Sequence, residues 1–290
     1  MSTLNCHKNG FSQPEPAWTT RIPESRYHED ALTGKILSSG MLKEFRLCPA
    51  HYHALITGKA RRSESDALRF GRAVHKLILE GDRAYRDAFM VGGPINEKTG
   101  RAFGSESKTF EKWLEEYGLE RERTLTPGEA EDIVHMREAV RSHREAGLLL
   151  SSGWPELSAR AELQGIPCQI RLDWLCPDGV AVDLKTCSDI ARFEADARRF
   201  GYLNQFAFYR DVAQAAGAGE VTVVAVVLEK RQPFRVGVWR FPDDILAPYS
   251  AQNRTAIAAL HCCRERGRWP TGYEGTRAFP PAGLPPVWLN

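Results

Sequence analysis

The stretch Val221 to Leu228 is an almost uninterrupted apolar run rich in valine. A strand of this composition has no polar face to give to water, so it belongs inside a sheet that is covered on both sides. Its neighbours read as further strands. Glu156 to Leu163 and Cys168 to Leu175 are joined by a turn at Gly165-Ile166-Pro167, and Pro177-Asp178-Gly179 turns tightly into Val180 to Thr186. Arg235 to Phe241 alternates and reads as an edge strand.

Helical periodicity surrounds these strands. Ser-Ser-Gly opens a helix at Met41 to Phe45, Cys48-Pro49 breaks it, and a second short helix carries Tyr52, Leu55 and Ile56. Ala67 to Glu80 is amphipathic through Leu68, Ala73 or Val74, Leu77 and Ile78, with Gly81 as its expected end. Residues 91–109 form a long Gly-rich loop with several basic side chains, followed by a helix over Thr109 to Tyr117. Thr126-Pro127-Gly128-Glu129 is a capping box that opens a helix to about Glu145, with Gly147 as its stop. Phe200 to Ala215 and Pro242 to Arg266 complete the helices. The reading is an α/β chain with a mixed central sheet flanked by helices and a helical N-terminal half. Residues 1–26, with Pro14, Pro16 and Pro23, are expected to be an irregular arm and 27–290 a single domain, ending in a Pro-rich tail after Phe279.

Composition narrows the class. With 42% hydrophobic residues the chain has ample material for a core, which excludes a disordered polymer. No run of about 18 apolar residues is present, so no membrane span is expected, and Met1 to Lys8 has no apolar signal-peptide segment. The seven cysteines (6, 48, 168, 176, 187, 262, 263) are irregularly spaced and read as reduced thiols of a cytoplasmic protein. Lys and Arg number 39 against 37 Asp and Glu, so any affinity for nucleic acid must come from local patches.

Centring the second turn on Asp178 pairs Cys176 with Val180, Leu175 with Ala181, Trp174 with Val182, and Asp173 with Asp183. The two aspartates then face each other with Cβ atoms roughly 4.5–5.5 Å apart. Lys185, two residues past Asp183, points the same way. Leu172, Trp174, Val180, Val182 and Leu184 take the opposite face as core, which leaves the carboxylates and the lysine lining an open cleft. Like charges across a strand pair need compensation. A divalent cation provides it through carboxylate oxygens; a surface Asp–Lys–Asp salt-bridge cluster would also do.

Other groups stand beside this hairpin. His75 follows Gly71 by one helical turn, and Gly71 would let another backbone approach. Glu156 and Glu162 precede the hairpin, and at least one is expected to be solvated. Gln205 and Tyr209 share a helix face. Glu229 closes the apolar strand, where a charge is ordinarily exposed. His51 and His53, or His135 and His143, lack cysteine partners at zinc spacing. Cys48 with Cys262-Cys263 lacks the spacing of an iron–sulfur cluster. No phosphate-binding Gly-x-x-x-x-Gly-Lys-Ser/Thr and no Gly-x-Ser-x-Gly elbow are present.

In order along the chain, Gly71-Arg-Ala-Val-His75, Glu156, Gly165-Ile166, Arg171-Leu172-Asp173, Asp183-Leu184-Lys185-Thr186, Gln205-Phe-Ala-Phe-Tyr209 and Val-Val-Leu-Glu229 resemble the PD-(D/E)XK nuclease superfamily, and within it the RecE/RecB-type exonuclease branch of phages and prophages. Leu37 to Leu42, Cys48-Pro49-Ala50-His51-Tyr52 and Gly93-Pro94-Ile95-Asn96 are similar to the RecE-type N-terminal segment, and the likeness spans roughly residues 27–290. Asp173 departs from the superfamily pattern in having no proline before it.

The resemblance implies a restriction-endonuclease-like core. It makes Asp173, Asp183 and the backbone carbonyl of Leu184 metal ligands, His75 a further ligand, Lys185 the group that orients the attacking water, and Glu156 an additional acidic member. Gln205 and Tyr209 would support the site and touch DNA phosphate. It implies Mg2+, with Mn2+ able to substitute, and an ATP-independent 5′-to-3′ exonuclease acting on linear duplex ends for phage-type recombination. An oligomeric ring, trimer or tetramer, and a single-strand annealing partner go with it. Two alternatives remain: a non-catalytic DNA-binding or scaffold protein that keeps the fold, and a single-strand-specific nuclease.

Overall fold

The computed structural model describes residues 15–61 and 66–276. Pro14, Cys6 and the Pro-rich tail from Phe279 lie outside the described residues. The elements follow in chain order: α1 (Glu24–Leu32), β1 (Leu37–Ser38), α2 (Ser39–Leu47), α3 (Pro49–Ile56), α4 (Asp66–His75), a π-helical turn (Lys76–Glu80), α5 (Gly81–Ala88), β2 (Met90–Val91), α6 (Lys108–Tyr117), β3 (Thr124–Leu125), α7 (Pro127–Ser142) and α8 (Arg144–Leu149). The second half holds β4 (Trp154–Leu163), β5 (Ile166–Leu175), β6 (Val180–Cys187), α9 (Phe193–Phe200), α10 (Tyr202–Ala215), β7 (Thr222–Glu229), β8 (Val236–Phe241) and α11 (Asp243–Arg266).

The main sheet has six strands. Its path runs β1-β5-β6-β7-β8, with β4 hydrogen-bonded to the other side of β5. The β1–β5 and β6–β7 pairs are parallel and the remaining ladders antiparallel, so the sheet is mixed as expected. β1 and β6 share one edge of β5. β1 occupies Cys168 and Gln169, β6 occupies Trp174 and Leu175, and the edge between them is left open.

β7 is buried from Val223 to Glu229. Val223, Ala225 and Val227 enter one core with Phe206 of α10 and Phe241, whereas Val226 and Leu228 enter a second core with α4, α7 and Trp174. A third core packs β4 and β5 against α2, α3, α10 and α11. Helices therefore cover both faces of the sheet, as the apolar run at Val221 to Leu228 requires.

Local departures from the sequence reading have physical causes. α1 begins at Glu24, inside the stretch read as irregular, and Thr20 pairs with Ser158 by two backbone hydrogen bonds of 2.8 and 3.0 Å. The amphipathic helix does not simply stop at Gly81. After His75 it widens into the π turn, and Gly81 (φ 86°) then redirects the chain into α5. Leu68, assigned to its apolar face, is exposed; Arg69 is the buried residue there. The helix opened at Thr126 ends at Ser142, because His143 is extended and its Nδ1 accepts from the Ala146 N–H to start α8. Gly147 lies within α8, where a Cβ would come 2.7 Å from the Arg141 carbonyl, so its role is close approach.

The capping box at Thr126 and Glu129 is formed, and it does more than cap. Both carboxylate oxygens of Glu129 receive the buried Arg69 guanidinium, at 2.6 and 3.2 Å, while Arg69 also donates to the Thr124 carbonyl at 2.7 Å. This pair locks α4, and with it His75, to α7. Removing one partner of a buried pair typically costs about 3–5 kcal/mol. Glu129→Ala is therefore expected to lower the thermal unfolding midpoint by roughly 10 °C, with Glu129→Gln in between. A midpoint unchanged in the alanine variant, followed by circular dichroism, contradicts this account.

Candidate active site

The hairpin register is the one expected: Trp174 faces Val182, Leu175 faces Ala181, and the Cys176 N–H reaches the Val180 carbonyl at 2.8 Å. Beyond Trp174–Val182 the ladder opens. Asp173 and Asp183 do not form a backbone pair; Asp173 Oδ2 instead accepts the Leu184 N–H at 2.8 Å. A carboxylate stands where a strand carbonyl would otherwise be.

The β4 side is disturbed at the same level. β4 and β5 pair on either side of Glu156 and Asp173 but not at these two residues, and Glu156 has φ 57°. Left-handed backbone at a non-glycine residue stores strain and is concentrated at functional sites. The strand alternation slips there. Trp154 and Leu157 enter the same core although three residues apart, as do Leu172 and Leu175. This corrects the expectation that Leu172 shares a face with Trp174. Trp174, Val180, Val182 and Leu184 do pack together, but Leu172 lies in the core under α10 and α11, because the kink at Asp173 turns the strand over.

The side chains nominated from sequence converge at this opening. Lys185 Nζ stands 2.5 Å from Asp183 Oδ2, a close ion pair that is this buried oxygen's partner. Gln205 Nε2 donates to Tyr209 Oη at 2.7 Å and approaches Asp183 Oδ1 at 3.5 Å. His75 Nδ1 lies 3.5 Å from Asp173 Oδ2, and the imidazole donates to the Leu184 carbonyl. Glu156 pairs with Arg171 Nε at 2.5 Å. Glu162 is exposed, as one of the two glutamates was expected to be. The face is not an open cleft: α10 roofs it, and Asp183 is only 2% exposed.

Glu24 and Lys76 escaped the sequence reading of the site. Arg171 also reaches Glu24 at 3.8 Å, and Lys76 bridges Glu24 at 3.7 Å and Glu80 at 2.6 Å, forming a ring of charge around the opening. The i,i+4 spacing of Lys76 and Glu80 was the available signal; nothing local links Glu24 to them. Glu229 corrects another expectation. It is buried and held bidentately by Arg235 at 2.5 and 2.9 Å, closing β7 onto β8 away from the opening. Gly71 does pack on β6, but a Cβ there would meet Thr186 Oγ1 at an ordinary 3.6 Å, so the approach does not demand glycine.

Burial governs the electrostatics. It raises the Asp183 carboxyl to about 6 even with Lys185 beside it. Burial also raises Glu156 and Asp173, and the Asp173 carboxylate adds to the cost of ionising Glu156 and Asp183. The His75 imidazole is held down at about 4, by burial first and then by the Lys185 ammonium, so it is neutral with a lone pair to offer. Burial opposes the charge on Lys185, but Asp183 and Asp173 outweigh it, and its pKa rises.

Among the described residues no three His, Cys, Asp or Glu side chains form a ready-made metal cage. The groups here that could hold a metal are the carboxylates of Asp173 and Asp183 and the main-chain carbonyl of Leu184. Hard oxygen donors of this kind suit Mg2+, which keeps several waters and takes one or two carboxylates. Two buried carboxylates, Asp173 and Asp183, with the single ammonium of Lys185 beside them fit the charge of a divalent cation.

An acidic residue on one strand and Asp-x-Lys on the next, at the opening of a mixed sheet with helices on both faces, define a fold of the PD-(D/E)XK type. The chain belongs to the family described as a PDDEXK-like domain of unknown function (DUF3799), which it matches over residues 38–278. A crystal structure of a candidate exonuclease from Eubacterium rectale is similar at a TM-score of 0.65 and 14% identity, with 91% of this chain and 100% of that chain covered. A phage-related exonuclease from Haemophilus somnus aligns over 80% of this chain and 96% of its own at 13% identity, with a TM-score of 0.32. No curated protein matches the sequence. Among the described residues no helix is long and apolar enough to cross a membrane.

If the Asp173 carboxylate substitutes for a strand carbonyl, Asp173→Ala frees the Leu184 N–H. Its hydrogen exchange is expected to quicken by about tenfold or more. In Asp173→Asn an amide oxygen still accepts, and most of the protection remains. Equal exchange in the wild type and the alanine variant refutes this.

Proposed function

We propose that this chain is a metal-dependent deoxyribonuclease that hydrolyses DNA phosphodiesters. The observation that carries the reading is the convergence of Asp173, Asp183 and Lys185 at a break in an otherwise buried sheet, with His75, Gln205 and Tyr209 around them. Asp173, Asp183 and the Leu184 carbonyl would hold Mg2+ or Mn2+, and neutral His75 is placed to complete the set. When bound, such an ion supplies Lewis-acid charge to the phosphate and acidity to a water. The residues of the chain do the rest. Lys185 adds positive charge beside the position where phosphate charge develops, in a site from which water is largely excluded. Gln205, steadied by Tyr209, orients Asp183. Glu156, kept protonated more readily by its burial next to Asp173, can exchange a proton within the site.

Action from 5′ ends of linear duplex without ATP, a ring of several subunits, an annealing partner and a cytoplasmic setting belong to the same proposal. Their support is the motif order shared with the RecE/RecB-type branch. Residues 27–290 would act as one nuclease unit.

The test is a digest of linear duplex labelled at the 5′ or the 3′ end, beside a circular control, with Mg2+ and with EDTA. The expected outcome is early release of the 5′ label, a spared circle and no products in EDTA. Asp183→Ala is expected to abolish digestion, and Lys185→Ala to lower kcat by about 100- to 1000-fold, with far-UV spectra unchanged. Full activity in Asp183→Ala overturns the reading. Shifted DNA without products in the wild type favours the non-catalytic binder instead.

A further inference from the structure

We propose that Tyr202, seconded by Phe206, is the positioning residue for Lys185, holding the ammonium by the faces of its aromatic rings. What the ammonium does there rests on the nuclease reading above; where it is held does not.

A lysine side chain has four rotatable carbons' worth of freedom, and fixing it is costly in entropy. Asp183 holds the ammonium from one side, at 2.5 Å, and leaves its other side to be held by something else. Lys185 Nζ lies 4.9 Å from the centre of the Tyr202 ring and 5.9 Å from that of Phe206, both within the reach of a cation–π contact. Burial strengthens such a contact, and Lys185 is only 16% exposed.

The rings are themselves fixed. Gly201, in the left-handed conformation (φ 75°), ends α9 and turns the chain straight into α10, so Tyr202 is the first residue of that helix. Its ring packs against Phe193 at 6.3 Å, Phe200 at 6.0 Å and Phe206 at 6.4 Å. Phe206 is fully buried and lies 4.6 Å from Phe241 of β8. The platform is thus rooted in the core of the β7–β8 side.

Tyr202, Gln205, Phe206 and Tyr209 fall at i, i+3, i+4 and i+7, one stripe of α10. Gln205 and Tyr209 serve Asp183, and Tyr202 and Phe206 serve Lys185. A single helix face sets both halves of the ion pair.

Two measurements test this. In steady-state digestion of linear duplex with saturating Mg2+, Tyr202→Leu is expected to lower kcat roughly tenfold with KM within about twofold, and Tyr202→Phe to recover the wild-type kcat. A raised KM with unchanged kcat in Tyr202→Leu makes the ring a DNA contact and overturns the proposal. So does Tyr202→Phe behaving like Tyr202→Leu. The second measurement needs no activity. In proton–carbon spectra, with the Lys185 resonance assigned through Lys185→Arg, the Hε signals are expected upfield in the wild type and in Tyr202→Phe, and near the random-coil position in folded Tyr202→Leu. If the wild type cleaves no DNA, the nuclease reading falls and this second measurement alone decides. A random-coil Lys185 signal in the folded wild type then overturns the aromatic platform.

Discussion

The site depends on one hydrogen bond that is not between two backbones. By accepting the Leu184 N–H, Asp173 ends the β5–β6 ladder just past the Trp174–Val182 pair, although both strands run on, and it does so with a carboxylate. A buried amide without a partner costs about 1–3 kcal/mol, so the sheet opens only because the carboxylate satisfies it. The same bond fixes Asp173 against the strand that carries Asp183 and Lys185. On its other side Asp173 faces Glu156, whose left-handed backbone interrupts the β4 ladder at the same level. At Asp173, then, β5 skips one rung of its ladder with β4 and parts from β6.

Placing three carboxylates and an imidazole in this opening is unfavourable. Burial raises Asp173, Asp183 and Glu156 together, and it keeps His75 neutral. Lys185, Arg171 and Lys76 offset part of the cost, through pairs that also tie α1 and the π turn to the sheet. Groups arranged against their own ionisation are the usual mark of a site built for a partner charge.

What was legible in the sequence was whatever a local period encodes. Alternation and the Pro-Asp-Gly turn placed Trp174 against Val182 and brought Asp183 and Lys185 to one side. The valine run announced β7, and Thr126 to Glu129 announced α7. What was not legible depended on exceptions to those periods. The kink at Asp173 sends Leu172 to the other core, and no pattern of residue types encodes a left-handed Glu156. Glu229 looked solvated because its partner, Arg235, lies across a turn that sequence spacing does not measure. Gln205 and Tyr209 were visible as a helical pair; Tyr202 and Phe206 on the same stripe carried no signal of their own, since an aromatic ring under a lysine is indistinguishable in sequence from one under a leucine.

The π turn at Lys76 to Glu80 gives the helical half a fixed angle. The wide turn is the joint between two rods, and here Leu77 and Leu79, on what would be unlike sides of an ordinary helix, both remain seated in the apolar interior. The rod before the joint carries His75 and is clamped by Arg69 to Glu129; the rod after it, α5, is largely exposed. Arg137 holds Asp82 at the start of α5, Arg123 holds the Asp87 and Ala88 carbonyls at its end, and Tyr85 is buried between them, so the wide turn sets the angle between two anchored rods and the imidazole projects from the first of them.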